Sequence, residues 1–349
     1  MHAFVTGATG MLGSNIVRQL LTAGHQVTAL VRSEEKARRQ FAGLDVRVVA
    51  GDIDDVDLFA AHMNGCDTIF HTAAYFREYF GLGDHQAMLQ RLNVDATLAL
   101  IAAAEQQRVQ TFVHISSSGV IGMHPGQTIG DETSAPDAPV FANLYFTSKL
   151  LCEQAIARVL PSTKLRIVQI LPGWMMGPGD DAPTASGRLV VDMLNQQLPA
   201  TIPGGGALVD TRDVAATTIV AATRGLHGAR YIVGGDTFYS LRQIATLVEH
   251  ASGVPAPRMH LPWPAALAMA TVVEQVGRIR GEQPLMTVSG IRTLREVRRT
   301  SSAKAIHELG ATFRPVDETI RDTVAWYRTN RRDMLTPRAM VAAGAASAS

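Results

Sequence analysis

The stretch HAFVTGATGMLGSNIVRQLLTAG, residues 2–24, decides the fold. Its first residues, His2 to Val5, are an apolar run of strand length. Its last part places Leu12, Ile16, Val17, Leu20 and Leu21 at helical spacing. Between them lies TGATGMLG, Thr6 to Gly13. Gly7, Gly10 and Gly13 allow a tight turn and a close approach of backbone to a pyrophosphate. The start of the following helix offers free N–H donors and the positive end of a dipole. The spacing is G-x-x-G-x-x-G rather than G-x-G-x-x-G. Thr6, Gly7, Thr9, Gly10, Met11, Leu12 and Gly13 are therefore candidates for contact with a dinucleotide.

Outward from this unit the first half of the chain alternates strands and helices. Expected strands run over Gln26–Val31, Asp45–Ala50, Asp67–Ala74, Thr111–Ser118 and Leu165–Pro172. A charged helix is expected through Arg39, a long one over His85–Gln107, and another over Leu144–Val159. Buried apolar strands separated by helices predict an α/β fold with a doubly wound parallel sheet. The expected boundaries are a nucleotide-binding domain over 1–171 with returning elements at about 207–235. A smaller, mostly helical substrate-binding region takes 172–206 and 236–335. WMMGPGDDAP and LPATIPGGG read as loops around a pocket. The small, polar tail 336–349 reads as flexible.

The chain has 349 residues, 46% of them apolar and 18% charged, with a net charge of +1. That balance predicts a soluble globular protein with no nucleic-acid partner and no attraction to an anionic membrane. Cys66 and Cys152 are isolated, which fits a reducing compartment. The chain enters its first strand with no signal peptide ahead of it, so a cytoplasmic location is expected. The apolar stretch Leu261–Val273 is shorter than the ~20 residues of a membrane span, so no integral membrane segment is expected.

A second motif carries chemistry. In NLYFTSKLLCEQ, Tyr145 and Lys149 stand at i and i+4, on one helix face. An ammonium beside a phenol is expected to lower the phenol's pKa, and such a phenol exchanges a proton with an alcohol or carbonyl oxygen. Arg32 follows the second strand where an Asp or Glu would accept from the 2′-hydroxyl of NAD. Arg32, Ser33 and Lys36 instead offer partners to a 2′-phosphate, so NADP(H) is the expected cofactor, with NAD(H) as the alternative. His71 and His114 end apolar strands and read as packed, satisfied histidines. Asp52, Asp54, Asp55 and Asp57 read as a helix N-terminus rather than a metal site. No metal is expected.

With these elements placed, the chain resembles the extended short-chain dehydrogenase/reductase family, closest to its dihydroflavonol-reductase-like branch, which also holds NAD-dependent epimerases and dehydratases. The resemblance rests on TGATGMLG, GDIDD, HTAA, NVDAT, HISSSGVIG, YFTSK, LPGWMMGPGD and VDTRDVA, and covers about residues 1–330. It implies a Rossmann-like fold, a catalytic Tyr145 and Lys149, a catalytic serine and often an Asn, here Asn93. The strand end alone leaves Ser116, Ser117 and Ser118 open; alignment with the family pattern favours Ser117. Ser116 is then expected inside the packed interior. The resemblance also implies that Asp52 and Ile53 meet adenine, that Ala73 and Ala74 admit the cofactor backbone, and that Pro172 and Gly173 lie under the nicotinamide. Relatives commonly form homodimers through helices equivalent to His85–Gln107 and Leu144–Val159, with Leu150, Leu151, Ile156 and Val159 at the contact.

Phe76, Tyr79, Phe141, Trp174, Met175 and Met176, with His124, form an expected apolar pocket wall. About half of the apolar side chains in this region are expected to pack beneath loops instead. Such a wall suits a hydrophobic or aromatic carbonyl compound. The leading expectation is an NADPH-dependent reductase of an aldehyde or ketone. The alternatives are a sugar-nucleotide epimerase or dehydratase using bound NAD, with Arg188, Asn195, Arg212 and Arg230 as candidate diphosphate contacts, and a non-catalytic nucleotide sensor.

Overall fold

The structure is a computed structural model that describes residues 1–76, 85–123, 126–235, 237–280, 287–296 and 298–341. The expected pocket residues Tyr79 and His124 lie outside these.

The chain opens with β1 (His2–Thr6), α1 (Met11–Thr22), β2 (Gln26–Val31), α2 (Glu34–Gln40), β3 (Arg47–Ala50) and β4 (Thr68–His71). Next come α3 (His85–Leu89), a π-helical turn over Gln90–Asp95, α4 (Ala96–Gln106), β5 (Thr111–Ile115), α5 (Ala138–Ala142), α6 (Leu144–Val159) and β6 (Arg166–Pro172). The later half holds β7 (Trp174–Met176), α7 (Ala185–Leu194), β8 (Ala200–Thr201), β9 (Gly205–Asp210), α8 (Thr211–Arg224), β10 (Arg230–Val233), β11 (Phe238–Ser240), α9 (Leu241–Ser252) and β12 (Met259–His260). Helices α10 (Trp263–Arg280), α11 (Val288–Arg295), α12 (Val316–Asn330) and α13 (Pro337–Val341) complete the described chain.

Among the described residues seven strands form one parallel sheet in the order β10-β6-β5-β4-β1-β2-β3. Successive side chains on each strand feed opposite layers, as the pleat requires. Val5, Phe70, Val113 and Val168 enter the layer under α1 and α8. Phe4, Ile69, Phe112 and Ile167 enter the layer under α4 and α6. The strand order reverses between β1 and β4, and the carboxyl ends of parallel strands at such a reversal form a crevice.

The C-terminal region combines its helices with short strands. Strand β9 pairs with β7 and antiparallel with β11, while β8 pairs with β12. Its core joins Val190, Ile244, Val324 and Tyr327 from α7, α9 and α12. Helix α9 is closed at both ends, by a reciprocal Ser240–Gln243 capping pair and by Gly253 in the left-handed region.

Several sequence expectations need correction. Strand β4 stops at His71, because the Thr72 N–H and hydroxyl both turn back to the Thr6 carbonyl. Strand β5 stops at Ile115, because Ser117 caps a short 3-10 turn over Ser118–Val120. The helix expected over 85–107 runs without interruption from His85 to Gln106, with a π turn over Gln90–Asp95 inside it. Trp174–Met176 is a strand, not a loop. Asp52, Asp54 and Asp55 precede the first of two 3-10 turns and Asp57 lies within it, and the Asp55 side chain, at its N-cap, makes no capping bond. The returning segment near 207 joins the small sheet; α8 and β10 return to the large unit. Residues 337–341, expected within a flexible tail, are helical and bury Ala339; residues 342–349 lie outside the described chain.

Candidate functional site

The glycine turn is locked by its own backbone. Gly7 has φ +65°, and an added Cβ would lie 2.7 Å from the Ala73 nitrogen and the Thr72 hydroxyl. Gly13 faces Gly7 across the turn; a Cβ there would lie 2.8 Å from the Gly7 carbonyl carbon and closer still to its oxygen. The N–H of Gly10 donates to the Gly7 oxygen at 2.8 Å. Gly10 caps α1 with no side-chain hydrogen bond, so the first N–H groups of that helix stay available. A pyrophosphate fits such a cradle. Met11 and Leu12 are buried, Leu12 in the core, so their side chains do not line the turn, whereas Thr9 is half-buried. The Thr6 hydroxyl is engaged inside, at 2.8 Å from His71 Nδ1.

The segment after β4 connects this cradle to the second motif. At one end, Thr72 donates to the Thr6 carbonyl at 2.7 Å and the Ala73 N–H reaches the Thr6 hydroxyl at 3.4 Å. At the other, the Phe76 ring meets the Tyr145 ring edge-on, with centroids 4.6 Å apart. Three residues of chain span at most ~11 Å. The glycine turn and the phenol therefore border one short crevice wall, formed by half-buried Ala73 and Ala74.

Asn93 holds that wall. Its Oδ1 accepts from the Tyr75 N–H at 2.7 Å, and its Nδ2 donates to the Tyr75 carbonyl at 3.1 Å and to Ser148 Oγ at 3.0 Å. Ser148 in turn donates to the Tyr145 carbonyl at 2.8 Å. Asn93 lies in the π turn, which swings its amide out of the α-helical register toward the loop. Its amide is committed to positioning the wall and α6.

Helix α6 starts where Asn143 accepts from the N–H groups of Tyr145 and Phe146. Tyr145, Lys149 and Glu153 then follow at one-turn intervals. Lys149 is buried and donates to the Ile115 carbonyl at 2.7 Å, at the end of β5. Its ammonium lies 5.8 Å from the Tyr145 ring centroid. Ser116 is buried, as expected, and donates to Glu153 Oε1. Glu153 Oε2 pairs with Arg230 Nε at 3.0 Å. Ser117 is half-buried, at the same strand end, with its Oγ accepting from the Gly119 N–H at 3.1 Å. Its hydroxyl hydrogen stays available to a substrate oxygen. Ser118 is also half-buried.

Burial sets the electrostatics. It pushes the Tyr145 phenol up from its ordinary value, which corrects the expectation that Lys149 lowers it. The ammonium donates to the Ile115 carbonyl, and no hydrogen bond joins it to the phenolic oxygen among the described residues. Burial also pulls Lys149 down to about 8, with Cys152 and Glu153 acting in the opposite direction. Glu153 itself is raised by burial, against the pull of Arg230, Ser116 and Lys149. His71 is pushed down to about 3 and His114 well below its ordinary value, so both stay neutral. His71 is satisfied by Thr6 and Thr97, but His114 Nδ1 lacks a hydrogen-bond partner among the described residues. Among those residues no group of His, Cys, Asp and Glu is placed to hold a metal ion.

The Lys149 value yields a prediction with a definite sign. Its folded pKa lies below the ordinary 10.5, so the unfolded chain binds more protons between about pH 8 and 10.5. Stability from this group should rise with pH through that window. Turnover that needs the ammonium should fall above about pH 8. Melting curves and kcat profiles of the parent and Lys149→Met, taken from pH 7 to 10.5, check both. The parent should gain stability relative to the variant as pH rises.

The other expected residues divide. Arg32 and Ser33 are exposed, and Ser33 Oγ accepts from the Lys36 N–H. Asp52 is exposed and accepts from the Asp54 N–H, while Ile53 packs in the core. Pro172 ends β6 and is buried; the Gly173 N–H donates to Val233 at 3.0 Å, and a Cβ there would lie 3.0 Å from Gly234 Cα. Of the expected pocket wall, Phe76 touches Tyr145 and Phe141 is exposed. Met176 is a correction: it is 1% exposed, inside the C-terminal core. Trp174 and Met175 are half-buried, with Trp174 packed against the C-terminal core and Met175 against the core under α1 and α8. A cavity of about 480 Å³ beside α10 and α11 is lined by Trp263, Leu267, Arg292, Arg295 and Glu296, and shares no residue with the cluster around Tyr145 and Lys149. Glu153 was missed by sequence reasoning, although its i+8 spacing from Tyr145 on the same helix face was visible.

Comparison with known proteins agrees with this geometry. The model of the NAD dependent epimerase/dehydratase family matches residues 3–234. A Synechocystis sp. protein provisionally named dihydroflavonol 4-reductase is 33% identical over 331 residues, 94% of each chain. A Stigmatella aurantiaca protein named 4-hydroxy-2-methyl-3-oxo-4-farnesyl-3,4-dihydroquinoline-1-oxide ketoreductase is 30% identical over 317 residues, 89% of this chain and 91% of its own. The crystal structure of gox2253 superposes with a TM-score of 0.80 at 30% identity, covering 96% of this chain and 99% of that one. With the glycine turn, the Tyr145–Lys149 helix face and the seven-stranded parallel sheet in place, the chain belongs to the NAD-dependent epimerase/dehydratase family, the extended short-chain dehydrogenases/reductases.

Proposed function

We propose that this oxidoreductase is an NADPH-dependent reductase of a hydrophobic or aromatic aldehyde or ketone. The observation that carries the reading is the continuous wall from the glycine turn to the Tyr145 phenol, with Lys149 and Ser117 at the adjoining strand end. A bound nicotinamide dinucleotide supplies hydride to the carbonyl carbon. Tyr145 gives its proton to the carbonyl oxygen, so the carbonyl becomes an alcohol. The phenol is protonated at neutral pH, the form a reduction consumes. Ser117 holds the substrate oxygen beside the phenol. Lys149 holds a positive charge beneath the site as negative charge develops on that oxygen.

The sugar-nucleotide alternative loses support from four side chains. Arg188 bonds Asp192, Asn195 bonds Met334 and Thr336, Arg212 pairs with Asp210 and Asp322, and Arg230 pairs with Glu153. Cations and amides already committed within the fold make poor diphosphate anchors. The relatives' names, a reductase and a ketoreductase, lie on the same side.

NADPH oxidation measured with aromatic aldehydes, aliphatic ketones, steroid ketones and sugar nucleotides tests the reading. Turnover on a hydrophobic carbonyl compound is expected. Interconversion of a sugar nucleotide without net NADPH use would overturn it. Arg32 is exposed and has no ion-pair partner among the described residues, which fits a phosphate contact. Arg32→Asp should lower the NADPH/NADH ratio of kcat/KM by about tenfold or more, through a lost partner and an added repulsion. An unchanged ratio would place the choice elsewhere.

We also propose a homodimer, but the expected contact needs revision. Leu150 and Ile156 are buried within the chain and Val159 packs on its core, leaving Leu151 exposed on α6. No helix among the described residues is long and apolar enough to cross a membrane.

A further inference from the structure

The cations on α2 are not free. Asp181 comes from a loop some 140 residues away in sequence and meets them at close range. Its Oδ2 accepts from Arg39 at 3.1 Å and lies 3.7 Å from Lys36 Nζ. Its Oδ1 lies 3.7 Å from Arg331, at the C-terminal end of α12. The Asp181 side chain is 12% exposed, Lys36 23% and Arg331 17%, so these charges are only partly screened by water, whereas Arg39 is 64% exposed and more strongly screened.

The loop that delivers Asp181 is tightly tied down. Asn15 of α1 donates to the Pro178 carbonyl at 2.9 Å. A Cβ on Gly179 would lie 3.0 Å from Asn15 Nδ2 and Ser14 Oγ. The neighbouring Asp180 is 2% exposed and accepts from the Thr184 N–H at 2.9 Å and from the Tyr327 hydroxyl at 3.0 Å. Asp181 is thus held beside Lys36 and Arg39 by the fold rather than by a mobile surface contact.

We propose that Asp181 is a cofactor-specificity residue: it neutralises Lys36 and Arg39 and so competes with a phosphate on the adenosine 2′ position. The inference rests on the reading above that Arg32 and Lys36 face that phosphate. Arg32, which Asp181 does not touch, carries most of the attraction. Lys36 and Arg39 contribute only what Asp181 leaves uncompensated. A carboxylate a few ångströms from the phosphate site also repels the phosphate directly. NAD carries no charge at that position, so the discrimination between the two cofactors is reduced.

Equilibrium binding of NADP⁺ and NAD⁺ to the full chain and to Asp181→Asn tests this. In the variant NADP⁺ should tighten by about three- to tenfold, with NAD⁺ unchanged within about twofold, and the gain should shrink as salt rises from low to molar concentration. The gain should shrink but not vanish when Lys36→Met is added, because Arg39 is still released and the direct repulsion is still removed. An unchanged or weaker NADP⁺ affinity in a variant with parental secondary structure would overturn the proposal. Lys36→Met alone reads the competition without altering the Asp181 loop: a loss of NADP⁺ affinity below about threefold is expected, and a loss above about tenfold would overturn it. The parent's own NADP⁺/NAD⁺ ratio tests the cofactor reading separately. A parent without preference whose Asp181→Asn variant acquires one would sink that reading and support this inference.

Discussion

Tyr145→Phe is expected to keep the fold and dinucleotide binding and to lose about 10²–10⁴-fold in kcat, the usual scale of general acid–base assistance. The ring stays, and with it the edge contact to Phe76 at 4.6 Å. The phenolic hydroxyl has no hydrogen-bond partner among the described residues, so its removal breaks no hydrogen bond among them. The melting temperature should therefore move little. Single-turnover reduction monitored beside fluorescence-detected NADPH binding separates chemistry from binding. Reduction at near-parental rate would remove Tyr145 from the mechanism and bring the non-catalytic alternative forward.

Gly13→Ala is expected to abolish measurable dinucleotide binding and to lower stability by about 1–3 kcal/mol, the cost of forcing an extra methyl into packed structure. The obstacle is backbone: the new Cβ would press on the carbonyl of Gly7, a residue itself held at positive φ. A flexible side chain would swing aside, but a peptide carbonyl moves only if the whole turn moves. The turn is the proposed pyrophosphate cradle, so any relaxation that admits the methyl distorts it. Calorimetric titration with NADPH and a thermal melt check the two effects. Full binding by the variant would show that the cofactor does not sit on this turn.

Much of the molecule is legible in one dimension because its determinants are local. The alternation of apolar runs and helices, the G-x-x-G-x-x-G turn and the i,i+4 relation of Tyr145 to Lys149 each concern residues close along the chain. A parallel sheet with both faces covered follows from them, since buried runs must be clothed on two sides. Helix α6 matches its expected bounds because Asn143 caps it and apolar residues line its inner face. Strand ends were less legible. His71 and Ile115 end their strands where side-chain hydroxyls and carbonyls from elsewhere capture the backbone.

What the sequence by itself determined is the family, the sheet and the identity of the phenol and ammonium on one face. The tertiary structure alone decided how those groups are charged and what they touch. Lys149 bonds the Ile115 carbonyl and not the phenol, and burial raises Tyr145 where local reasoning lowered it. Glu153 lies beneath Ser116, and Asp181 lies on the cations of α2. The physical reason is that desolvation and ion pairing depend on which distant segments exclude water and bring charge close. Periodicity along the chain carries no record of either.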